Sequence, residues 1–159
     1  MRSLTDTYLS AKPGVKLFIE LIGCSIIIAI GLLFPDPKIP FRPFTNILGF
    51  VFIVGGLWLH GLSHSVHKQV HQETEKIEKL ITMGIYSKIR YPGYLGLILV
   101  YIGVPFAWGS VFLFIPTILF SYPLYTGAKK EEELLKDKFG REYENYMKRV
   151  PWRFIPKII

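Results

Sequence analysis

YPGYLGLILVYIGVPFAWGSVFLFIPTILFSYPLYTGA, residues 91–128, contains no Asp, Glu, Lys or Arg. As a single helix it would extend beyond about 50 Å at about 1.5 Å per residue, against a hydrocarbon core of about 30 Å. The stretch therefore has to fold back on itself. Pro105 and Gly109 bracket the place, within GVPFAWGS, because proline removes a helical donor and glycine tolerates tight turns. The reading is two short crossings, 94–105 and 110–126, joined as a tight hairpin. Pro116 and Pro123 fall inside the second crossing. They are expected to act as kinks whose freed carbonyls find a partner helix or water.

Two further apolar runs lie upstream. Residues 17–34, LFIELIGCSIIIAIGLLF, carry one charge, Glu20, and residues 44–62, FTNILGFVFIVGGLWLHGL, carry none apart from a protonatable His60. Each approaches the roughly 20 residues a helix needs to cross a bilayer. The first run begins late and the second follows at once, which speaks against a cleaved signal peptide. Half of the residues are hydrophobic and 15% are aromatic, and the mean hydropathy is +0.34. The expectation is an all-α integral membrane protein with about four transmembrane helices and interfacial helices on the cytoplasmic side. A length of 159 residues suits one domain, 1–159. Cys24 is the lone cysteine, sits in an apolar run and reads as buried packing.

The basic residues orient the chain. Four crossings place both termini and the middle segment on one side, with 17 of the 19 Lys and Arg residues; Lys38 and Arg42 remain for the other. The positive-inside rule then makes that side cytoplasmic. The net charge of +7 fits anionic headgroups beside the crossings. It does not point to nucleic acid, since the basic residues are spread over membrane-adjacent segments.

Two cytoplasmic segments, 78–96 and 129–156, carry polar chemistry. Ahead of the first, His60, His64, His67 and His71 recur at spacings of four, three and four, and Glu75 and Glu78 continue the same helical face. The stripe reads as an interfacial polar face, as a set of cofactor contacts, or as a metal site. One straight helix offers about two ligands to one ion, and the chain holds no other histidine, so no metal is assigned. Arg90 stands where the chain re-enters the membrane; it either snorkels to headgroups or holds an anionic ligand. In the second segment, KKEEELLKDKFGREYENYMKRVPWRFIP, helical character runs to about residue 147. Leu134, Leu135, Phe139, Tyr143, Tyr146 and Met147 recur at packing intervals. Glu131, Glu132 and Glu133 form either a solvated cluster or a seat for an amino group, a sulfonium or a ribose diol.

Taken in order, Gly84-Ile85-Tyr86, Arg90-Tyr91-Pro92-Gly93-Tyr94-Leu95-Gly96, Glu131-Glu132, Leu135, Phe139-Gly140, Tyr143, Tyr146 and Val150-Pro151 form a pattern. It resembles the isoprenylcysteine carboxyl methyltransferase and phospholipid methyltransferase superfamily, over roughly the second half of the chain. The resemblance implies a membrane enzyme without a Rossmann domain that takes S-adenosylmethionine from the cytoplasmic side. It implies cofactor contacts from Glu78, Lys79, Leu80, Ile81, Tyr86, Tyr91, Pro92, Gly93, Tyr94 and Glu131, with Arg90 and Glu132 as catalytic residues. The acceptor would be lipophilic or amphiphilic, isoprenylcysteine carboxylate-like or phospholipid amine-like, and would enter sideways from the bilayer. Two positions depart from the pattern. Tyr91 replaces a histidine, and Gly127 stands where prenylcysteine methyltransferases carry an arginine for the substrate carboxylate. A lipid amine or a small thiol therefore joins the candidate acceptors. Two other classes compete: an NADPH-dependent membrane reductase of the sterol-reductase type, and a membrane protein that binds metal or a partner helix through the histidine stripe. Glu131-Glu132 followed by Phe139-Gly140 favours methyl transfer.

Overall fold

The computed structural model describes residues 37–66 and 79–157, together with Val15, Phe18, Ile22, Ser25, Ile26 and Ala29. The expected first crossing, 17–34, falls for the most part outside the described residues, as do His67, His71, Glu75, Glu78 and the side chain of His64. The elements are α1 (Phe44–Val66), a 3-10 turn η1 (Gly84–Ser87), α2 (Pro92–Trp108), α3 (Phe114–Phe139) and α4 (Arg141–Arg149). Among the described residues there is no strand beyond an isolated antiparallel bridge between Lys38 and Ser110. The all-α expectation agrees with this architecture.

Within α1, Phe44–Ser63 is long and apolar enough to cross a membrane, yet only 11% of that span is buried. Its exposed side chains include Phe44, Ile47, Phe50, Val54, Leu57 and Trp58. A helix of this composition in water would bury such a surface. Facing lipid, it need not.

The described residues pack as two units. The first holds α1 up to Gly55 together with Ile98–Leu124. Here α1 meets α2 almost backbone to backbone. A Cβ on Gly103 would stand 2.7 Å from the Gly49 carbonyl oxygen and 2.8 Å from the Ile53 side chain. The C-terminal carbonyls of α2 all find donors. Ser110 N–H reaches Pro105 O, Asn46 Nδ2 reaches Phe106 O and Ala107 O at 3.3 and 2.7 Å, and Arg42 Nη2 reaches Trp108 O. These are the groups a helix end leaves without partners, and apolar surroundings supply none.

The hairpin differs from its sequence reading in where it turns. Pro105 does not end the first arm; it lies inside α2, which runs on to Trp108. The carbonyl that Pro105 leaves free belongs to Tyr101, four residues back, and it accepts the Thr117 hydroxyl at 2.8 Å. Gly109, at φ +64°, is the actual stop, as is usual for a glycine just past a helix. The second arm starts at Phe114 rather than residue 110.

The second unit holds Gly56–Leu97 and the chain from Tyr125 onward. Its contact between α1 and α2 again depends on missing side chains. A Cβ on Gly96 would lie 2.6 Å from Gly56 O and 2.8 Å from His60 N, and one on Gly93 would lie 2.9 Å from Ser63 Oγ. Small residues permit this approach in membrane helices. Gly96→Ala is therefore expected to destabilise the protein by about 1–3 kcal/mol, since rigid backbone must move. Gly61→Ala, whose Cβ would meet nothing within 4 Å, is the control. Thermal unfolding in detergent that shows equal effects for the two would disprove the close-approach account.

In this unit α3 continues to Phe139, and Gly140 breaks it at φ +51°. Helical character thus runs past residue 147, in line with the sequence, but in two helices broken at Gly140. The break folds α4 back, so that Tyr143, Tyr146 and Val150 pack with Leu135, flanked by Leu80, Phe139 and Met147. Glu142 and Glu144 in the first turn of α4 and Lys148 and Arg149 in its last complement the helix dipole.

Candidate functional site

The site lies entirely in the second unit and starts with segment 84–96. Gly84, at φ +63°, opens η1, which buries Tyr86. The Tyr86 hydroxyl shares a hydrogen bond with Ser63 at 2.8 Å, and its carbonyl accepts Tyr146 Oη–H at 2.7 Å. Next, Arg90 N–H donates to Trp152 O at 3.0 Å and Tyr91 N–H to Arg153 O at 2.9 Å. Pro92 then begins α2, a position where its missing N–H costs nothing. His60 Nδ1 meets Gly93 O at 3.0 Å, so this member of the histidine stripe is engaged in packing α1 against α2. Among the described residues no three His, Cys, Asp or Glu side chains gather as a metal site would need.

Glu132 lies on α3 and is 3% exposed. Arg90 donates to its Oε1 through Nε at 3.1 Å and Nη2 at 2.5 Å, and gives Nη1 to Val150 O at 2.7 Å. Arg153 grips the same carboxylate from Nε to Oε1 at 2.9 Å and from Nη2 to Oε2 at 2.8 Å. Burial pushes the Glu132 carboxyl upward, but the hydrogen bonds and charges of Arg153 and Arg90 outweigh it and hold the group below its ordinary value. The carboxylate is therefore ionised and fully engaged. The two residues expected to be catalytic, Arg90 and Glu132, are each other's partners.

Glu131, one residue earlier, is half-buried and accepts the Tyr94 hydroxyl at 3.2 Å. Tyr91 and Tyr94 stack with centroids 5.7 Å apart, and Tyr91 leans on Phe154 at 6.2 Å. Its hydroxyl approaches that of Tyr143 at 3.5 Å, the outer limit of a hydrogen bond. Burial, then the charge of Glu131, raises the Tyr91 hydroxyl well above its usual range. Burial alone outweighs the opposing influence of Ser63 at Tyr86. Burial also pushes Tyr143 up to about 12. These phenols stay protonated, so the aromatic rings near Glu131 are neutral and the Tyr94 hydroxyl is its donor.

The structure thus gathers Tyr86, Arg90, Tyr91, Pro92, Gly93, Tyr94, Glu131 and Glu132 in one unit. Leu80 packs on the Leu135–Tyr143–Tyr146 cluster, Ile81 is half-buried and Lys79 exposed; Glu78 lies outside the described residues. Sequence reasoning missed Arg153, Val150 O, Ser63, and Tyr143 and Tyr146 as site walls. The one available signal for Arg153 was a cation set between Trp152 and Phe154.

The profile of the family described as phospholipid methyltransferase matches residues 44–142, which include α1, segment 84–96 and both glutamates. The chain belongs to the phospholipid methyltransferase family. Among relatives of this family member, a probable protein-S-isoprenylcysteine O-methyltransferase of Oryza sativa subsp. indica is 33% identical over 75% of the chain and 64% of its own length. The protein-S-isoprenylcysteine O-methyltransferase of Schizosaccharomyces pombe is 31% identical over 87% of the chain and 58% of its own length. A Delta(14)-sterol reductase of Methylotuvimicrobium alcaliphilum is 28% identical over 54% of the chain, which is 21% of that reductase. The chain thus spans less than two thirds of each of these curated relatives.

Proposed function

We propose that this phospholipid methyltransferase family member is a membrane-embedded methyltransferase that uses S-adenosylmethionine. Its acceptor is a lipophilic or amphiphilic molecule of the isoprenylcysteine-carboxylate or phospholipid-amine kind. One observation carries the reading: Glu131, half-buried, is bonded by Tyr94 beside the stacked faces of Tyr91 and Tyr94. This donor set fits a sulfonium, which gains from a nearby carboxylate and from aromatic faces. When bound, S-adenosylmethionine supplies the activated methyl group.

The chain's own residues align and exclude water. Methyl transfer depends on collinear placement of nucleophile, carbon and sulfur more than on a dedicated base. Arg90 and Glu132 serve that placement by fastening segment 90–94 to α3 and to the 150–153 tail. Tyr86 and Tyr91 remain neutral walls and hydrogen-bond donors. The four-crossing topology, with termini and site in the cytoplasm, belongs to the same proposal and rests on the asymmetry of the basic residues.

The reductase reading keeps in its favour the matches to sterol reductases, that of Methylotuvimicrobium among them. Calorimetry of the purified protein in nanodiscs separates the two. S-adenosylhomocysteine is expected to bind and NADPH to give no heat; binding of NADPH alone would overturn the proposal.

A further inference from the structure

The charges at Glu132 do not balance. One carboxylate faces two guanidinium groups, and the two differ in how much they have spent. The Arg90 side chain is 4% exposed and gives Nε, Nη1 and Nη2 to Glu132 and Val150 O. The Arg153 side chain is 28% exposed and gives Nε and Nη2 to Glu132. Among the described residues its Nη1 has no partner. A guanidinium carries five N–H donors in a planar fork, and its unspent edge is matched to a second carboxylate.

Position narrows the ligand. The Arg153 carbonyl is fixed to Tyr91 N–H, and Phe154, the next residue, leans on Tyr91 at 6.2 Å and Tyr125 at 6.3 Å. Tyr94, stacked on Tyr91 at 5.7 Å, bonds Glu131 through its hydroxyl at 3.2 Å, so a carboxylate and a guanidinium side chain both belong to residues fastened to this aromatic pair. A molecule with an ammonium and a carboxylate on one carbon presents the opposite pair. We propose that Arg153 is the carboxylate receptor of the site, taking the α-carboxylate at the amino-acid end of the methyl donor. This rests on the methyltransferase reading above and assigns within it a residue outside the Glu131-Glu132 and Arg90–Tyr94 motifs.

The test compares two probes on the full chain in nanodiscs. S-adenosylhomocysteine carries the amino-acid end; 5′-methylthioadenosine keeps the nucleoside and thioether but lacks it. Arg153→Gln is expected to weaken S-adenosylhomocysteine on the order of tenfold or more and to leave 5′-methylthioadenosine unchanged, which also shows that the rest of the site is intact. Arg153→Lys, keeping charge without the fork, should fall between Gln and wild type. Equal losses for both probes would overturn the assignment and leave Arg153 as a fastener of Glu132. Unchanged affinity for S-adenosylhomocysteine would overturn it too, with the free edge merely solvated or serving the acceptor. In both cases wild-type binding keeps the methyltransferase reading standing; a wild-type protein that binds neither probe overturns both.

Discussion

Replacing Glu132 with alanine is expected to cost about 3–5 kcal/mol of stability, because it strands a buried guanidinium without its counterion. Arg90 would keep Val150 O but lose the carboxylate that accepts two of its N–H groups, and Arg153 would lose both of its bonds to Glu132. Glu132→Gln keeps the volume and removes the charge, so it should fall short of the alanine effect. The triple variant Arg90→Met, Glu132→Leu and Arg153→Met should recover much of the loss, as apolar replacement of a buried ionic cluster often does. Denaturant or thermal unfolding in detergent reads all three. An alanine variant within about 0.5 kcal/mol of wild type would mean that this cluster fastens nothing.

The same carboxylate gives the melting curve an acid limb. Its folded value lies below that of the unfolded chain, so the stabilisation is complete above the ordinary carboxylate range, around ~4.3. It is then lost as pH falls through the lower folded value. Glu132→Gln should flatten that limb. A limb unaltered in the variant would assign the acid sensitivity to other groups.

Glu131→Gln is expected to weaken binding of S-adenosylmethionine, whose sulfonium is charged, by well over about tenfold while leaving the melting temperature close to wild type. The reason is its different setting. Glu132 is sealed among arginines, whereas Glu131 is half-buried beside aromatic faces and accepts the Tyr94 hydroxyl. Tyr94→Phe removes that donor and keeps the ring, so its effect on affinity should be smaller. Unchanged affinity in the Glu131 variant would remove the carboxylate from the donor seat and with it the main support for the proposed chemistry.

The long charge-free stretch made the α2–α3 hairpin legible, because no single helix of that length fits a bilayer. Its turn was misplaced because the compensation for Pro105 comes from Thr117, sixteen positions from the carbonyl it satisfies, and local sequence does not display such a contact. The charge-free sequence ends near residue 128, but the backbone does not change there, and α3 runs through to Phe139. Gly140 was visible as part of a motif, but its left-handed backbone follows from Tyr143 and Tyr146 packing back on Leu135. At the site, Glu131, Glu132, Arg90 and the tyrosines were legible as chemistry. That Arg90 is 42 positions from its partner Glu132, and that a tail arginine among many basic residues completes the cluster, depends on tertiary approach.

The grip of the tail on segment 90–91 also dictates a time order. Val150 O, Trp152 O and the whole of Arg153 leave the ribosome after every other member of the Glu132 cluster. Until they emerge, Arg90 and Tyr91 have neither of their backbone acceptors and Glu132 has a single counterion. A message cut short between codons 133 and 149 would still encode both glutamates and Arg90, yet its product could not close the cluster. Such a chain would meet cellular proteases with the Glu132 cluster lacking its Arg153 arm.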